Sequence, residues 1–348
     1  MAEHAELRRD LVVIGASAGG VDALRKIIAV LPADISAAIL IVLHVWPDGP
    51  SVLPEILNNA GPITAVHPYD LERLEYSRIY VAPPDFHLLV EPGSVRVVRG
   101  PKENRHRPAV DPLFRSAASV YGPRVVGCIL TGSMDDGTAG ALAVKRHGGV
   151  VIAQDPAQAA HRGMPASAIE NGAVDYILPL GGIAPRLIQL VMSGSRLDAA
   201  RAFVSGDADL MEATLAEANM DAIEDMNRRG RPSVYACPDC NGTLWELDDN
   251  GLLRFRCRTG HAYTAASLAI EQSERLEQAL WTAFRALEET ASLHRRMAER
   301  ARERSHVHIA AEHDAAAQKE EDSARVLRDV ILKPRGAIEA AQADQVES

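Results

Sequence analysis

The segment Gly15-Ala16-Ser17-Ala18-Gly19-Gly20 follows directly on the apolar run Leu11-Val12-Val13-Ile14, and an amphipathic stretch begins straight after it. A serine in a G-x-S-x-G turn between a strand and a helix is placed to act as a nucleophile, because small neighbours let the backbone turn sharply and project the hydroxyl at a helix N-terminus. There the N–H of Ala18 and the positive end of the helix dipole would stabilise an oxyanion. A phosphate-binding turn is the competing reading. It is disfavoured because Ser17 occupies the place of the second Gly in a dinucleotide loop, and no Gly-Lys-Ser or Gly-Lys-Thr follows.

A nucleophilic serine needs a base, and the base needs an acid to orient it. In an open α/β sheet such groups converge beyond strand C-termini. His44 stands at the end of the apolar run 38–43, and Asp135 and Asp136 follow another run in Ile129-Leu130-Thr131-Gly132-Ser133-Met134-Asp135-Asp136-Gly137. His67, His87, His106, His147 and His161 are weaker candidates for the base, since the strand-end rule points to His44.

A second chemistry is written into the cysteines. Cys237-Pro238-Asp239-Cys240 and Cys257-Arg258-Thr259-Gly260-His261 give a CxxC and a CxxxH at zinc-site spacing. Three thiolates and one imidazole, from Cys237, Cys240, Cys257 and His261, complete a tetrahedral zinc shell with no position for water, so the expected ion is structural. Between them, Thr243-Leu244-Trp245-Glu246-Leu247 and Leu252-Leu253-Arg254-Phe255-Arg256 flank Asp248-Asp249-Asn250-Gly251, a β-hairpin with an Asn-Gly turn. The whole reads as a small zinc ribbon; a reduced cysteine cluster or a redox CxxC is the alternative. Cys128 lies apart, in an apolar run.

These groups need elements to hold them. Apolar, β-branched runs predict strands at 11–14, 38–43, 78–81, 125–130, 150–153 and 175–178, and amphipathic stretches predict helices at 21–31, 52–59, 113–119, 139–147, 165–171 and 184–192. Continuous apolar strands such as Ala37-Ala38-Ile39-Leu40-Ile41-Val42-Leu43 suit a parallel sheet covered on both faces. The expected architecture is a doubly wound, mostly parallel α/β/α sandwich over residues 9–193. A helical linker at 194–232 follows, with Met211, Leu215, Ala218, Ala222 and Met226 at helical spacing. The ribbon occupies 233–263, and long helices fill 264–340, where Leu276, Leu280, Phe284, Leu287 and Ala291 form an apolar stripe.

Composition narrows the function. Across 348 residues, Lys plus Arg number 37 against 47 Asp plus Glu, a formal charge of -10 that opposes nonspecific binding to nucleic acid or anionic lipid. Aromatics at 4% supply few stacking platforms for single strands. With no run long enough to insert in a membrane and no visible secretory signal, the expectation is a cytoplasmic protein. Against the acidic background, Arg99, Lys102, Arg105, His106 and Arg107 form a basic patch that would meet an acidic partner or simply be a solvated loop.

Taken together, several segments resemble the chemotaxis protein-glutamate methylesterases, the CheB family. They are Val13-Ile14-Gly15-Ala16-Ser17-Ala18-Gly19-Gly20, the strand-end His44, Tyr80-Val81-Ala82-Pro83-Pro84, Arg107-Pro108-Ala109-Val110-Asp111-Pro112-Leu113-Phe114, Leu130-Thr131-Gly132-Ser133-Met134-Asp135-Asp136-Gly137, Ala153-Gln154-Asp155 and Gly163-Met164-Pro165. The resemblance implies Ser17 as nucleophile, His44 as general base and Asp136, rather than Asp135, as the orienting acid. It differs from the family pattern at Ala18, where Thr is frequent, and at Ser133-Met134, where Met-Gly is commoner. It implies hydrolysis of glutamate methyl esters on chemotaxis-type receptor helices through a glutamyl-enzyme, with related deamidation of glutamine and no catalytic cofactor. A receptor methyltransferase or histidine kinase would be a further partner. A non-catalytic signalling adaptor and a hydrolase of other esters are the alternatives. Family members commonly carry a receiver domain ahead of the catalytic strand, which here begins at about Leu11; the resemblance therefore places any gating in the C-terminal half or in another protein.

Overall fold

The computed structural model describes residues 9–46, 51–192, 230–249 and 251–332. Seven parallel strands form the central sheet: β1 (Leu11–Ala16), β2 (Ala38–Leu43), β3 (Thr64–Val66), β4 (Arg78–Val81), β7 (Val125–Ile129), β8 (Val150–Gln154) and β9 (Tyr176–Leu178). Their order is β3-β4-β2-β1-β7-β8-β9. Alternate residues feed two cores. Val12, Ile14, Ile39 and Ile41 pack on one face of the sheet, and Leu11, Val13, Leu40 and Val42 on the other, all buried. Burial on both faces is why these strands read as unbroken apolar runs.

The helices α1 (Gly20–Ile28), α2 (Leu53–Ala60) and α6 (Leu180–Met192) contribute to the first core, whereas α3 (Val110–Tyr121), α4 (Thr138–Arg146) and α5 (Gly163–Glu170) contribute to the second. Within residues 9–192 the expected strands and helices are present, with small differences in their ends. Two features were not expected. Strand β3 is only three residues long, too short for periodicity to mark it. The antiparallel hairpin of β5 (His87–Glu91) and β6 (Ser94–Val98) turns at Pro92-Gly93, where Gly93 has φ of 79°; that dipeptide is a turn signal the sequence did carry.

The ribbon is a four-stranded antiparallel sheet in the order β10 (Arg231–Ala236), β11 (Thr243–Asp249), β12 (Leu252–Cys257) and β13 (Ala262–Thr264). Strand β10 begins at Arg231 and Pro232, residues assigned above to the end of the linker; pairing with Glu246 and Trp245 draws them into the sheet. The helix expected over Met211 to Met226 lies outside the described residues, as does Asn250 of the expected Asn-Gly turn.

The chain divides after Leu268 into two compact units, so the ribbon belongs with the α/β domain. The second unit pairs α7 (Ala265–Glu303), from Ala269 onward, with α8 (Val307–Leu332). Arg295 pairs with Glu321 and Arg302 with Asp314, which fixes an antiparallel hairpin. Its seam is built on small residues at heptad intervals, with Ala291 and Ala298 on one helix and Ala310, Ala317 and Ala324 on the other, all buried. Of the expected stripe, Ala291 is buried in this seam while Leu276 is 57% exposed.

Candidate active site and metal-ligand cluster

The order of strands creates the site. The chain winds from β1 outward through β2 on one side and through β7 on the other, so the crevice at the carboxyl ends of β2, β1 and β7 is the topological switch point where open α/β sheets place their ligands. Ser17 follows β1, His44 follows β2, and Asp136 lies in the loop after β7. Backbone bonds lock these ends together: His44 N–H donates to the Ala16 carbonyl at 3.1 Å, Leu130 N–H to Gly15 at 2.9 Å and Ser17 N–H to Thr131 at 3.0 Å.

The turn that carries Ser17 depends on glycine at two places. Gly19, with φ of 76°, caps α1 in the left-handed region that side chains rarely adopt. At Gly132 a Cβ would meet Met164 Sδ at 2.1 Å and the Ser17 Cβ at 2.9 Å, so no side chain fits beside the serine. Ser17 is half-buried and shares a cleft of about 580 Å³ with Ala18, His44, Trp46, Arg105 and Met134.

The His44 side chain is only 4% exposed, and its Nε2 lies 2.7 Å from Asp136 Oδ2. The other ring nitrogen, Nδ1, is buried and has no hydrogen-bond partner among the described residues. Asp136 is saturated with donors. Oδ2 also accepts the Val110 N–H at 2.6 Å, while Oδ1 accepts Gly137 N–H at 2.9 Å, the Asn104 amide at 3.0 Å and Asp111 N–H at 3.2 Å. Burial by itself would raise the pKa of this carboxyl, but His44 and these donors hold it well below the usual carboxylate range. Asp135, the adjacent carboxyl, takes no part in the His44 contact; burial raises its pKa.

Three contributors escaped the sequence reading in the roles they play. His106, weighed above only as a rival base, stacks on His44 with ring centroids 3.7 Å apart and 13° between planes. Burial, reinforced by His44, pushes its pKa down to about 4, so it is a neutral plate against the His44 ring near pH 7. Asp111, at the start of α3, accepts Gly140 N–H at 2.7 Å and the Asn104 amide at 2.9 Å; burial and the charge of Asp136 raise it to about 7. Asn104 bridges the two carboxyls. Nothing periodic marks it, since its value comes from a loop with φ of 48° rather than from a helix or strand. Of the basic patch, Arg99 and Arg107 both bind Asp85, whereas Lys102, Arg105, His106 and Arg107 line the cleft.

At the ribbon, one ligand atom from each of Cys237, Cys240, Cys257 and His261 lies within 4.8 Å of the others. Cys240 Sγ is 3.6 Å from Cys257 Sγ, and His261 Nδ1 is 3.5 Å from Cys257 Sγ and 3.7 Å from Cys237 Sγ. Metal–sulfur bonds of about 2.3 Å in a tetrahedron put sulfurs roughly 3.8 Å apart, so the donor set fits such an ion. Thr259 Oγ1 donates toward Cys240 Sγ at 3.5 Å, and the Tyr263 hydroxyl, near Cys237, bonds Asp239. Cys128 is different: burial raises its thiol to about 12, and it is an inert core residue.

The fold is a parallel doubly wound sheet that places a serine, a histidine and a buried carboxylate at the carboxyl ends of three adjacent strands. The model of the CheB methylesterase family matches residues 12–187. The chain is 41% identical over 191 residues to a protein-glutamate methylesterase/protein-glutamine glutaminase of Yersinia pestis, covering 54% of each. It is 36% identical over 191 residues to a Methanosarcina mazei protein of the same designation, covering 53% of this chain and 52% of that one. The CheB methylesterase catalytic domain of Thermotoga maritima superposes with a TM-score of 0.51 at 40% identity, over 52% of this chain and 98% of that one. The chain belongs to the CheB methylesterase family. It spans about half the length of the curated relatives it matches. Among the described residues no helix is long and apolar enough to cross a membrane.

Proposed function

We propose that the protein hydrolyses glutamate methyl esters on chemotaxis-type receptor helices in the cytoplasm, with Ser17 as nucleophile, His44 as general base and Asp136 as the acid that orients it. The observation that carries this reading is the 2.7 Å contact of His44 with Asp136, beside a Ser17 that shares its cleft. With Nε2–H held by the carboxylate, the unbonded Nδ1 is the nitrogen left to accept a proton. Ser17 Oγ bonds to the ester carbonyl carbon as its proton passes to His44; the C–OCH3 bond then breaks and His44 returns the proton to methanol. Water attacks the glutamyl ester by the same proton route, regenerating Ser17 and a glutamate carboxylate. Glutamine enters the same cycle with ammonia as leaving group, as the designations of the relatives favour. The N–H of Ala18, at the turn before α1, is the proposed oxyanion donor.

The cleft-lining Lys102 and Arg105 suit an acidic substrate segment, and a receptor methyltransferase or histidine kinase is the partner class for the remainder of the chain. The cysteine-histidine cluster is proposed to hold structural zinc; when bound, such an ion stabilises the knuckles and leaves no position to activate water. The test is methanol release from methylated receptor membranes. Wild-type turnover that is lost in Ser17→Ala supports the reading, and a folded Ser17→Ala that keeps wild-type turnover refutes it.

A further inference from the structure

The Asn104 side chain sits between two parts of the molecule. On the α/β side its Nδ2 donates both hydrogens, to Asp136 Oδ1 at 3.0 Å and to Asp111 Oδ2 at 2.9 Å. On the other side its Oδ1 accepts from Thr264 N–H at 3.1 Å and from the Ser267 hydroxyl at 3.3 Å. Thr264 and Ser267 are the reciprocal cap of α7: Ser267 N–H donates to Thr264 Oγ1 at 3.1 Å and Thr264 N–H to Ser267 Oγ at 2.9 Å. An amide has one acceptor end and one donor end, and an ionised carboxylate accepts only. Donors on the ribbon side and the ionised Asp136 on the catalytic side therefore permit one orientation of Asn104. The flipped amide would set its oxygen against Asp136.

The loop that carries Asn104 is held to the ribbon along its backbone as well. Asn104 N–H donates to the Ala262 carbonyl at 2.8 Å and Ala262 N–H to Lys102 at 3.3 Å. Beside it the fully buried Glu103 binds Arg115 of α3 at 2.5 Å and Arg256 of β12 at 2.7 Å, and Arg256 in turn holds the Gly260 carbonyl at 3.0 Å. Ala262 directly follows His261, so an ion held by the cluster would anchor the strand that grips this loop.

We propose that the ribbon and the first turn of α7 are a positioning element for the hydrolase site: they set the Asn104 amide so that it donates to Asp136, making Asn104 a positioning residue whose orientation is decided outside the segment shared with the family. This rests on the proposed role of Asp136. A hydrogen bond to a charged group is worth about tenfold to about a hundredfold in an equilibrium, and misplacement of the acid acts on the chemical step rather than on substrate binding.

The test uses the full chain and two readouts: steady-state methanol release, and the rate at which a small fluorophosphonate modifies Ser17, a step in which Oγ–P forms, P–F breaks and His44 takes the proton. Asn104→Ala, folded by circular dichroism and thermal melting, is expected to lose tenfold or more in kcat and in labelling rate, with KM within twofold. Asn104→Asp keeps an acceptor for Thr264 and Ser267 and is expected to lose as much, which a mere glue between ribbon and domain would not. Ser267→Ala, which touches neither carboxylate, is expected to lose about threefold. Folded Asn104 variants that label Ser17 at the wild-type rate overturn the inference; if they do not fold, Ser267→Ala at the wild-type rate overturns it. Wild-type protein that is not labelled at Ser17 overturns instead the hydrolase reading on which it stands.

Discussion

Replacing Asp136 with Asn preserves shape and removes charge, and the hydrogen-bond pattern around it dictates the outcome. Every neighbour of Asp136 is a donor: His44 Nε2 and Val110 N–H at Oδ2, and Asn104, Asp111 and Gly137 at Oδ1. An Asn amide keeps the three donors at Oδ1 only by turning its own NH2 toward His44 and Val110. His44 must then present a bare Nε2 and carry its proton on Nδ1, the nitrogen proposed to serve Ser17, so the base is lost through the wrong tautomer. The expected loss in kcat is about 10³ to 10⁴, as for removal of the orienting charge in serine-dependent triads. The Val110 N–H, facing another donor, adds a stability cost of about 1–3 kcal/mol. Asp135→Asn makes no such change at His44, and its turnover is expected to stay within about tenfold of wild type. Paired kcat measurements on the two variants, with thermal melts to confirm folding, decide the matter. Asp136→Asn within tenfold of wild type, or Asp135→Asn as the more damaging change, would refute the assignment of the acid.

Ser17→Ala should fold normally and lose ester hydrolysis by several orders of magnitude, read as methanol released per enzyme. Gly132→Ala should lower both melting temperature and turnover, since its Cβ would collide with Met164 and press on Ser17; unchanged activity would show that the loop yields freely. Burial opposes ionisation of Glu103, but Arg115, Arg256 and Arg254 more than reverse this and lower its pKa to about 2 from 4.5. Its contribution is therefore complete above about pH 4.5 and disappears as pH falls through about 2, worth at most about 3 kcal/mol. Asp111 acts oppositely: with a folded pKa of about 7, its protonated form favours the native state, and that contribution fades as pH rises from about 4 through 7. Denaturant midpoints across pH 2–8 for wild type and Glu103→Gln should differ most above pH 4.5, and parallel curves would argue against the Glu103 shift. Elemental analysis should find about one zinc per chain, lost in Cys240→Ser. Chelation should unfold the ribbon and slow Ser17 labelling, and full-length protein that stays fully folded without metal would remove the case for the site.

Much of this molecule could be read from local pattern. Continuous apolar runs announced β1, β2, β7 and β8 because a parallel sheet covered by helices buries both faces of a strand, and composition alone then betrays it. Ser17 and His44, proposed as nucleophile and base, were legible for a related reason: a group at a strand end stands next in sequence to the run that positions it. The ligand cluster was legible because Cys237, Cys240, Cys257 and His261 are set by spacing within two tight turns. What the chain could not disclose locally depends on elements far apart in sequence. In the sequence the choice between Asp135 and Asp136 turns on resemblance; in the fold His44, 92 residues from Asp136, lies against that carboxyl. Asn104 looks like one polar residue in a basic loop, and its importance comes from Asp136 on one side and Thr264, 160 residues along, on the other. Nothing local in the sequence marks the contact of the ribbon with the α/β domain through Glu103 and Arg256, 153 residues apart. Such a contact has no period and no spacing; tertiary packing takes both charges out of water, where a buried charge needs a partner.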